Sequence, residues 1–422
     1  MTGKLTRTLI RAMNTVDNQD KIPIIVKYRE GPVTTRAFVA GARPRYHFGL
    51  FRGAAWDARP EEIAHLAAAP EVERIWLDLP VHTWMDDAVS RTRASQVWSV
   101  GITGQGVKIA IIDTGIDADH PDFAGRIAAG INLRGSSYAD DSGHGTHVAG
   151  VAAGSGAASG GRYRGVAPGA SLYIAKALDA NGSGMMSDVM AGIEWAAAQH
   201  VHVIGLSLGT EGPADGSDAL SQTCDMAVQL GVVVCTAAGN AGPRSSSIGA
   251  PGAARRVITV GASSDDDRVL DFSGRGPTQD RRPKPDICFP GENIISCRAR
   301  GKSVGRPIDN YYTEMSGTSM ATPQAVGAAA LILQRNPGLK PDQVKEVLKR
   351  TAINIGADPN AQGSGRADVL QAVQSRVRPS LSEEPQPLPP ETVSPTAPSS
   401  AGRGCSRVFM SMFNFWRKNE PF

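Results

Sequence analysis

Ile109-Ala-Ile-Ile-Asp-Thr-Gly-Ile116 is an apolar run that ends on a carboxylate and turns at a glycine. A strand that is apolar at nearly every position must be covered on both faces, which is the habit of a parallel sheet rather than a half-solvated antiparallel one. Extended back to Val107, the run is the first of a series. Similar stretches lie at 171–178, 201–208, 232–238 and 257–261, and helical patterns separate several of them, notably at 187–200 and 218–230. Two more helical stretches follow at 319–335 and 341–350. Strands alternating with helices predict an α/β fold: a three-layer domain with a mostly parallel sheet.

Outside this region the character changes. Residues 1–84 hold a strand-like run, Ile22-Pro-Ile-Ile-Val-Lys-Tyr28, a helical segment at 59–69 with acidic residues in its first turn, and a second strand at 72–79. They read as a small α+β unit. Residues 379–404 are rich in Pro, Ser and Glu, which predicts a disordered linker. The tail, residues 405–422, carries the apolar run Val408-Phe-Met-Ser-Met-Phe-Asn-Phe-Trp416 between basic residues. It is too short to span a bilayer, and its role stays open between a docking peptide, an interfacial segment and a strip packed on the main domain.

Composition narrows the function. A net charge of +3 over 422 residues gives no reason to expect nucleic acid or an acidic membrane surface as a partner, and no stretch is apolar enough for a membrane span. The five cysteines, Cys224, Cys235, Cys288, Cys297 and Cys405, have neither the even count of a disulfide framework nor zinc-site spacing. The first residues lack the apolar core of a secretory signal. The expectation is a cytoplasmic protein, with export by a non-standard route as the alternative.

Three segments could carry nucleophilic chemistry. Asp113 lies where a buried strand ends, the place at which open α/β sheets gather their working groups. His144, in Asp140-Asp-Ser-Gly-His-Gly-Thr-His-Val-Ala-Gly150, sits between glycines at the start of a small-residue helix. Ser319, in Ser316-Gly-Thr-Ser-Met-Ala-Thr-Pro323, starts another, where unpaired N–H groups favour an oxyanion. Taken singly, each has an ordinary alternative: a turn aspartate, a structural histidine, a helix-capping serine. His144 and His147 could suggest a metal pair, but no Glu stands at a zincin base position and no third ligand is evident, so His147 reads as structural.

Together, in the order Asp…His…Ser, these segments resemble the subtilase family of subtilisin-like serine proteases over roughly residues 85–355. In character they are similar to bacterial intracellular-type members with an N-terminal propeptide-like domain. The resemblance implies a serine endopeptidase needing no cofactor for its chemistry, with Ser319 as nucleophile, His144 as general base and then acid, and Asp113 orienting the imidazole. Thr236-Ala-Ala-Gly-Asn240 resembles the family's oxyanion loop, so the Asn240 amide and the Ser319 backbone N–H would be the two donors.

Protein or peptide substrates would lie extended between Ser207-Leu208-Gly209 and Gly182-Ser183-Gly184. Ala237, Gly239 and Gly249 would line an uncharged primary pocket, and Met186, Val189 and Leu208 an apolar pocket for the fourth residue upstream of the cut. Broad cleavage after large apolar residues is expected, and an aspartate at Gly249 is expected to draw Lys or Arg. The resemblance makes residues 1–84 an intramolecular inhibitor and chaperone, self-cleaved between about 82 and 88, with Val81 at the fourth subsite and Trp84 at the first. Residues 85–378 are then the catalytic domain. The competing reading is a non-catalytic peptide-binding scaffold on the same fold. Asp122 resembles a calcium carboxylate of the family, but the neighbouring loop 154–163 has no acidic or amide side chain and carries Arg162. The expectation is that the strong calcium site is missing, with calcium retained as a possible structural ion.

Overall fold

The computed structural model describes residues 3–17, 19–31, 43–83, 92–302 and 304–375. Cys405, the linker, the tail and Trp84 lie outside the described residues.

The chain begins with α1 (Arg7–Thr15), β1 (Ile22–Tyr28), β2 (Tyr46–Phe48), β3 (Gly53–Ala58), α2 (Pro60–Ala68), β4 (Val72–Leu77) and β5 (Pro80–Thr83). It continues through α3 (Ala94–Trp98), β6 (Lys108–Asp113), β7 (Ile127–Asn132), α4 (His144–Ala153), β8 (Ser171–Lys176), β9 (Ser183–Met185) and α5 (Met186–Ala198). Next come β10 (Val203–Leu206), β11 (Leu208–Gly209), α6 (Ala219–Gln229), β12 (Val233–Ala237), β13 (Ile258–Ser263) and β14 (Ile287–Pro290). The last elements are β15 (Ile294–Cys297), β16 (Arg306–Pro307), β17 (Tyr312–Met315), α7 (Thr318–Arg335), α8 (Pro341–Arg350), α9 (Pro359–Gln362) and α10 (Val369–Gln374).

Seven strands form one sheet in the order β14-β13-β12-β10-β6-β8-β7, and every neighbouring pair is parallel. Period-2 alternation assigns the faces. Ile109 and Ile111 of β6 join the core that holds α4 and α7, while Ala110 and Ile112 join the one that holds α5 and α6. Leu172 and Ile174 of β8 follow the first pattern, and Ala175 the second. The result is the expected three layers. Beginning at β6, the chain builds toward β7 and β8 on one side and toward β10 through β14 on the other. The strand order therefore reverses between β6 and β10, and the crevice of such a sheet opens beyond the carboxyl ends of those two strands.

The N-terminal unit is a four-stranded antiparallel sheet, β2-β3-β1-β4. Ile22, Ile24, Val26 and Tyr28 of β1 face a private core with α1 and α2, whereas Ile25 joins Phe48, Phe51 and Trp76 in the core shared with α5 and α6. The seam also carries polar ties. Glu194 of α5 accepts from Leu50 N at 2.6 Å, and Asp78 accepts from Ser187 N, in the first turn of α5, at 3.1 Å. The α2 helix starts at a proline, with Glu61 and Glu62 complementing its dipole as the sequence suggested. Among the described residues no helix is long and apolar enough to cross a membrane.

Candidate active site

Asp113 is the last residue of β6 and is 1% exposed. Its Oδ1 accepts from Thr114 N at 2.7 Å and from His144 Nδ1 at 2.7 Å. Accepting from Nδ1 fixes the proton on that nitrogen, which leaves Nε2 as the basic end of a neutral imidazole. His144 opens α4 because Gly143, at φ +112°, turns the chain sharply just before it. Gly145 is required next to it, since a Cβ there would meet Gly115 O at 2.3 Å. The imidazole is thus carried by a helix that packs hard against the turn after Asp113.

Ser319 lies in the first turn of α7, which packs along α4. Its Oγ donates to Ser207 O at 2.9 Å, and Ser207 Oγ donates to Ser319 O at 2.8 Å. This exchange breaks the 201–208 run into β10 and β11, and it ties the nucleophile candidate to the strand that flanks the crevice. Asn240 Oδ1 accepts from Thr318 N at 3.0 Å and from Thr318 Oγ1 at 2.8 Å. With the amide oxygen so engaged, the amide nitrogen is the end left to donate.

Sequence reasoning passed over three participants. Ser207 was assigned to substrate binding alone, and Thr318 and Asp140 were given no part. Asp140 accepts five hydrogen bonds around the start of α4. Its position four residues before His144 was the only available signal.

The segments expected to bind substrate are already engaged. β5 lies between β9 and β11, antiparallel to both. Val81 pairs with Gly184, His82 with Ser183 and Gly209, and Thr83 with Leu208. Gly182 makes the turn into β9 at φ +72°. Val81 is fully buried in one apolar cluster with Met186, Val189 and Leu208. Ala237 ends β12, and Gly239, at φ +87°, has nothing within 4 Å of where a Cβ would project. Gly249 differs from expectation. A Cβ there would meet Thr210 O at 2.1 Å, so an aspartate at this position would displace backbone rather than offer a carboxylate to a substrate.

Asp122 is buried, and the chain itself fills its coordination. Gly156 N and Ala158 N each donate to it at 3.0 Å, Tyr312 OH approaches its two oxygens at 3.1 and 3.0 Å, and Cys297 Sγ lies at 3.4 Å. His120 and Cys297 are the only other ligand-type side chains grouped with it among the described residues. Calcium requires six to eight oxygen ligands, and these residues do not fit it: the lone pairs face donors, and the neighbours are an imidazole and a thiol. His147 donates from Nε2 to Ile294 O at 2.8 Å, and burial pushes its pKa down to about 3. It is a neutral core histidine. Cys224, Cys235, Cys288 and Cys297 are buried free thiols.

Comparison with known proteins agrees with this geometry. Residues 104–367 match the subtilase family. Serine protease AprX of Bacillus subtilis (strain 168) is 38% identical over 395 residues, spanning 85% of this chain and 89% of its own. Subtilisin E of the same strain is 37% identical over 340 residues, or 79% and 84% of the two chains, and the alkaline protease of Shouchella clausii is 38% identical over 321 residues, or 75% and 78%.

Proposed function

This chain belongs to the subtilase family and is a serine-type endopeptidase, and we propose that it is made as a self-processing zymogen that cuts proteins after large apolar residues. In this reading Ser319 Oγ attacks the scissile carbonyl while His144 Nε2 takes its proton. Asp113 holds the imidazole through Nδ1 and stabilises the imidazolium that forms. The Asn240 amide nitrogen and the Ser319 backbone N–H receive the oxyanion. His144 then protonates the leaving amine, and water releases the acyl group by the reverse choreography.

The observation that carries the zymogen reading is the placement of β5 between β9 and β11. An extended substrate would take that position, adding a strand to two edges at once. A reading that puts Trp84 in the primary pocket puts Val81 at the fourth subsite, and the burial of Val81 with the residues proposed to line that subsite supports it. The open space beside Gly239 suits a large uncharged side chain. The unit supplying β5 is pinned to α5 by Glu194 and Asp78 and by a shared apolar core, as an intramolecular inhibitor and chaperone requires. The boundary between inhibitor and enzyme is placed at residues 84 and 85.

The test is the N-terminus of purified protein. Mass spectrometry should find the wild-type chain shortened to a start near residue 85 and reactive with a fluorophosphonate, and the Ser319→Ala chain full-length and unreactive. A Ser319→Ala chain that matured alone to the same N-terminus would end the self-processing proposal.

A further inference from the structure

Asp140 is 7% exposed, and each of its carboxylate oxygens is fully used. Oδ1 accepts from Thr114 Oγ1 at 2.8 Å, Ser142 N at 3.1 Å and Gly143 N at 2.8 Å. Oδ2 accepts from Thr146 N at 2.8 Å and Thr146 Oγ1 at 2.6 Å. Two of these donors are amides at the start of α4 that a glycine N-cap cannot satisfy, so the carboxylate caps the helix bearing His144.

A cap alone would not need Thr114. That residue follows Asp113 directly, and its hydroxyl also accepts from Gly145 N, the residue after His144, at 2.8 Å. The Thr114 carbonyl is held from another side by Lys176 Nζ at 2.5 Å, and Lys176 is in turn paired with Asp141 Oδ1 at 2.5 Å. Two consecutive aspartates therefore hold Thr114, which follows Asp113 on the strand side and bonds to the helix of His144, Asp140 directly and Asp141 through Lys176.

We propose that Asp140, acting through Thr114, is the positioning residue that sets the Asp113–His144 contact. The proposal rests on those two residues being the catalytic pair. A carboxylate shared between the β6 turn and the α4 terminus keeps the imidazole in register with Asp113 when it becomes charged, and small displacements at such a contact are expensive in rate. Among the described residues, the titratable groups about His144 include Asp113 on β6, His147 one turn on in α4, Asp140 itself, Lys302 beside Gly143 and, through Thr114, Lys176 on β8 with Asp141.

The experiment uses the full chain after maturation, with a peptide substrate and a pH series. Asp140→Asn should lower kcat by about 10- to 100-fold with KM held within about twofold. Its acid limb in kcat/KM should move to lower pH, because a loosened Asp113 and a lost negative charge both stabilise the imidazolium less. Thr114→Val should reproduce the direction and Thr114→Ser should not, and the Asp140→Asn/Thr114→Val double variant should be no slower than the slower single one. A wild-type kcat and acid limb in Asp140→Asn, or a loss of thermal stability with the limb unmoved, would overturn the proposal. Should Asp140→Asn fail to fold, Thr114→Val carries the same pair of outcomes. A wild-type chain that is itself inert to substrate and fluorophosphonate would instead remove the catalytic reading beneath it.

Discussion

Thr318 donates twice to Asn240 Oδ1, from its amide at 3.0 Å and from its hydroxyl at 2.8 Å. The residue before the proposed nucleophile thus orients the proposed oxyanion donor. Asn240→Ala should lower kcat by about 10²–10³, a range known from subtilisin itself, with little change in KM. Thr318→Val keeps the backbone donor and loses the hydroxyl, so its effect should be near that of one hydrogen bond, about 1 kcal/mol or fivefold in kcat. Steady-state kinetics on one peptide substrate checks both. An equal loss from the two changes would mean that Thr318 does more than aim the amide.

Val81 is buried with Met186, Val189 and Leu208, which predicts what the mature enzyme prefers four residues upstream of the cut. Burying a valine-sized side chain contributes about 1.5–3 kcal/mol, so peptides with Val or Leu at that position should exceed those with Asp by about 10- to 100-fold in kcat/KM. Val81→Asp in the precursor should slow the appearance of the mature N-terminus for the same reason. A peptide library that showed no discrimination at this position would move the pocket elsewhere.

The sheet was legible where a buried strand is also long, because an apolar run such as 107–113 has few other ways to be satisfied. Where that pressure relaxes, the cue fades. β7, Ile127–Asn132, is a half-buried edge strand containing a glycine. β14 is buried throughout, but four residues ending in proline are too few to mark a strand. The two-residue strand β16 carries no periodicity at all. The long motifs brought out Asp113 and His144, which the structure sets in contact, but not the residues that support them. Nothing in the chain order announces that Ser207 exchanges hydrogen bonds with Ser319, or that Thr210 O closes the space beside Gly249. Such relations exist only after the strands are laid side by side.

His147 gives a pH dependence with a definite sign. Its folded pKa, about 3, lies below the ordinary value of 6.5, chiefly because burial penalises the charged ring. The unfolded chain therefore binds the extra proton first, and stability present above pH 6.5 is lost as pH falls toward 3. The slope from this one group is about 1.4 kcal/mol per pH unit within that window. Urea titrations in a Ser319→Ala background, where chains cannot digest one another, should show His147→Gln less stable at pH 7 but shallower in its acid dependence. Parallel curves for the two chains between pH 6 and 4 would show that the ring already carries its proton in the fold.

Asp122 marks the position at which the family resemblance suggested calcium, yet four donors from 156, 158, 297 and 312 converge on its carboxylate. Those donors supply the positive partial charge that a cation would otherwise bring, and they tie the 154–163 loop to β17 without one. In the Ser319→Ala chain, excess chelator and millimolar calcium should leave the thermal midpoint unchanged. Tyr312→Phe should lower stability by about 1.5–3 kcal/mol, the usual worth of a hydrogen bond to a charged group. The loss should not be recovered by calcium, since the backbone amides of Gly156 and Ala158 still face the carboxylate and an imidazole and a thiol still stand in place of oxygen ligands. A midpoint that fell with chelator and returned with calcium would show that the loop opens its carbonyls to an ion after all, and that the donor set around Asp122 is only one of two arrangements.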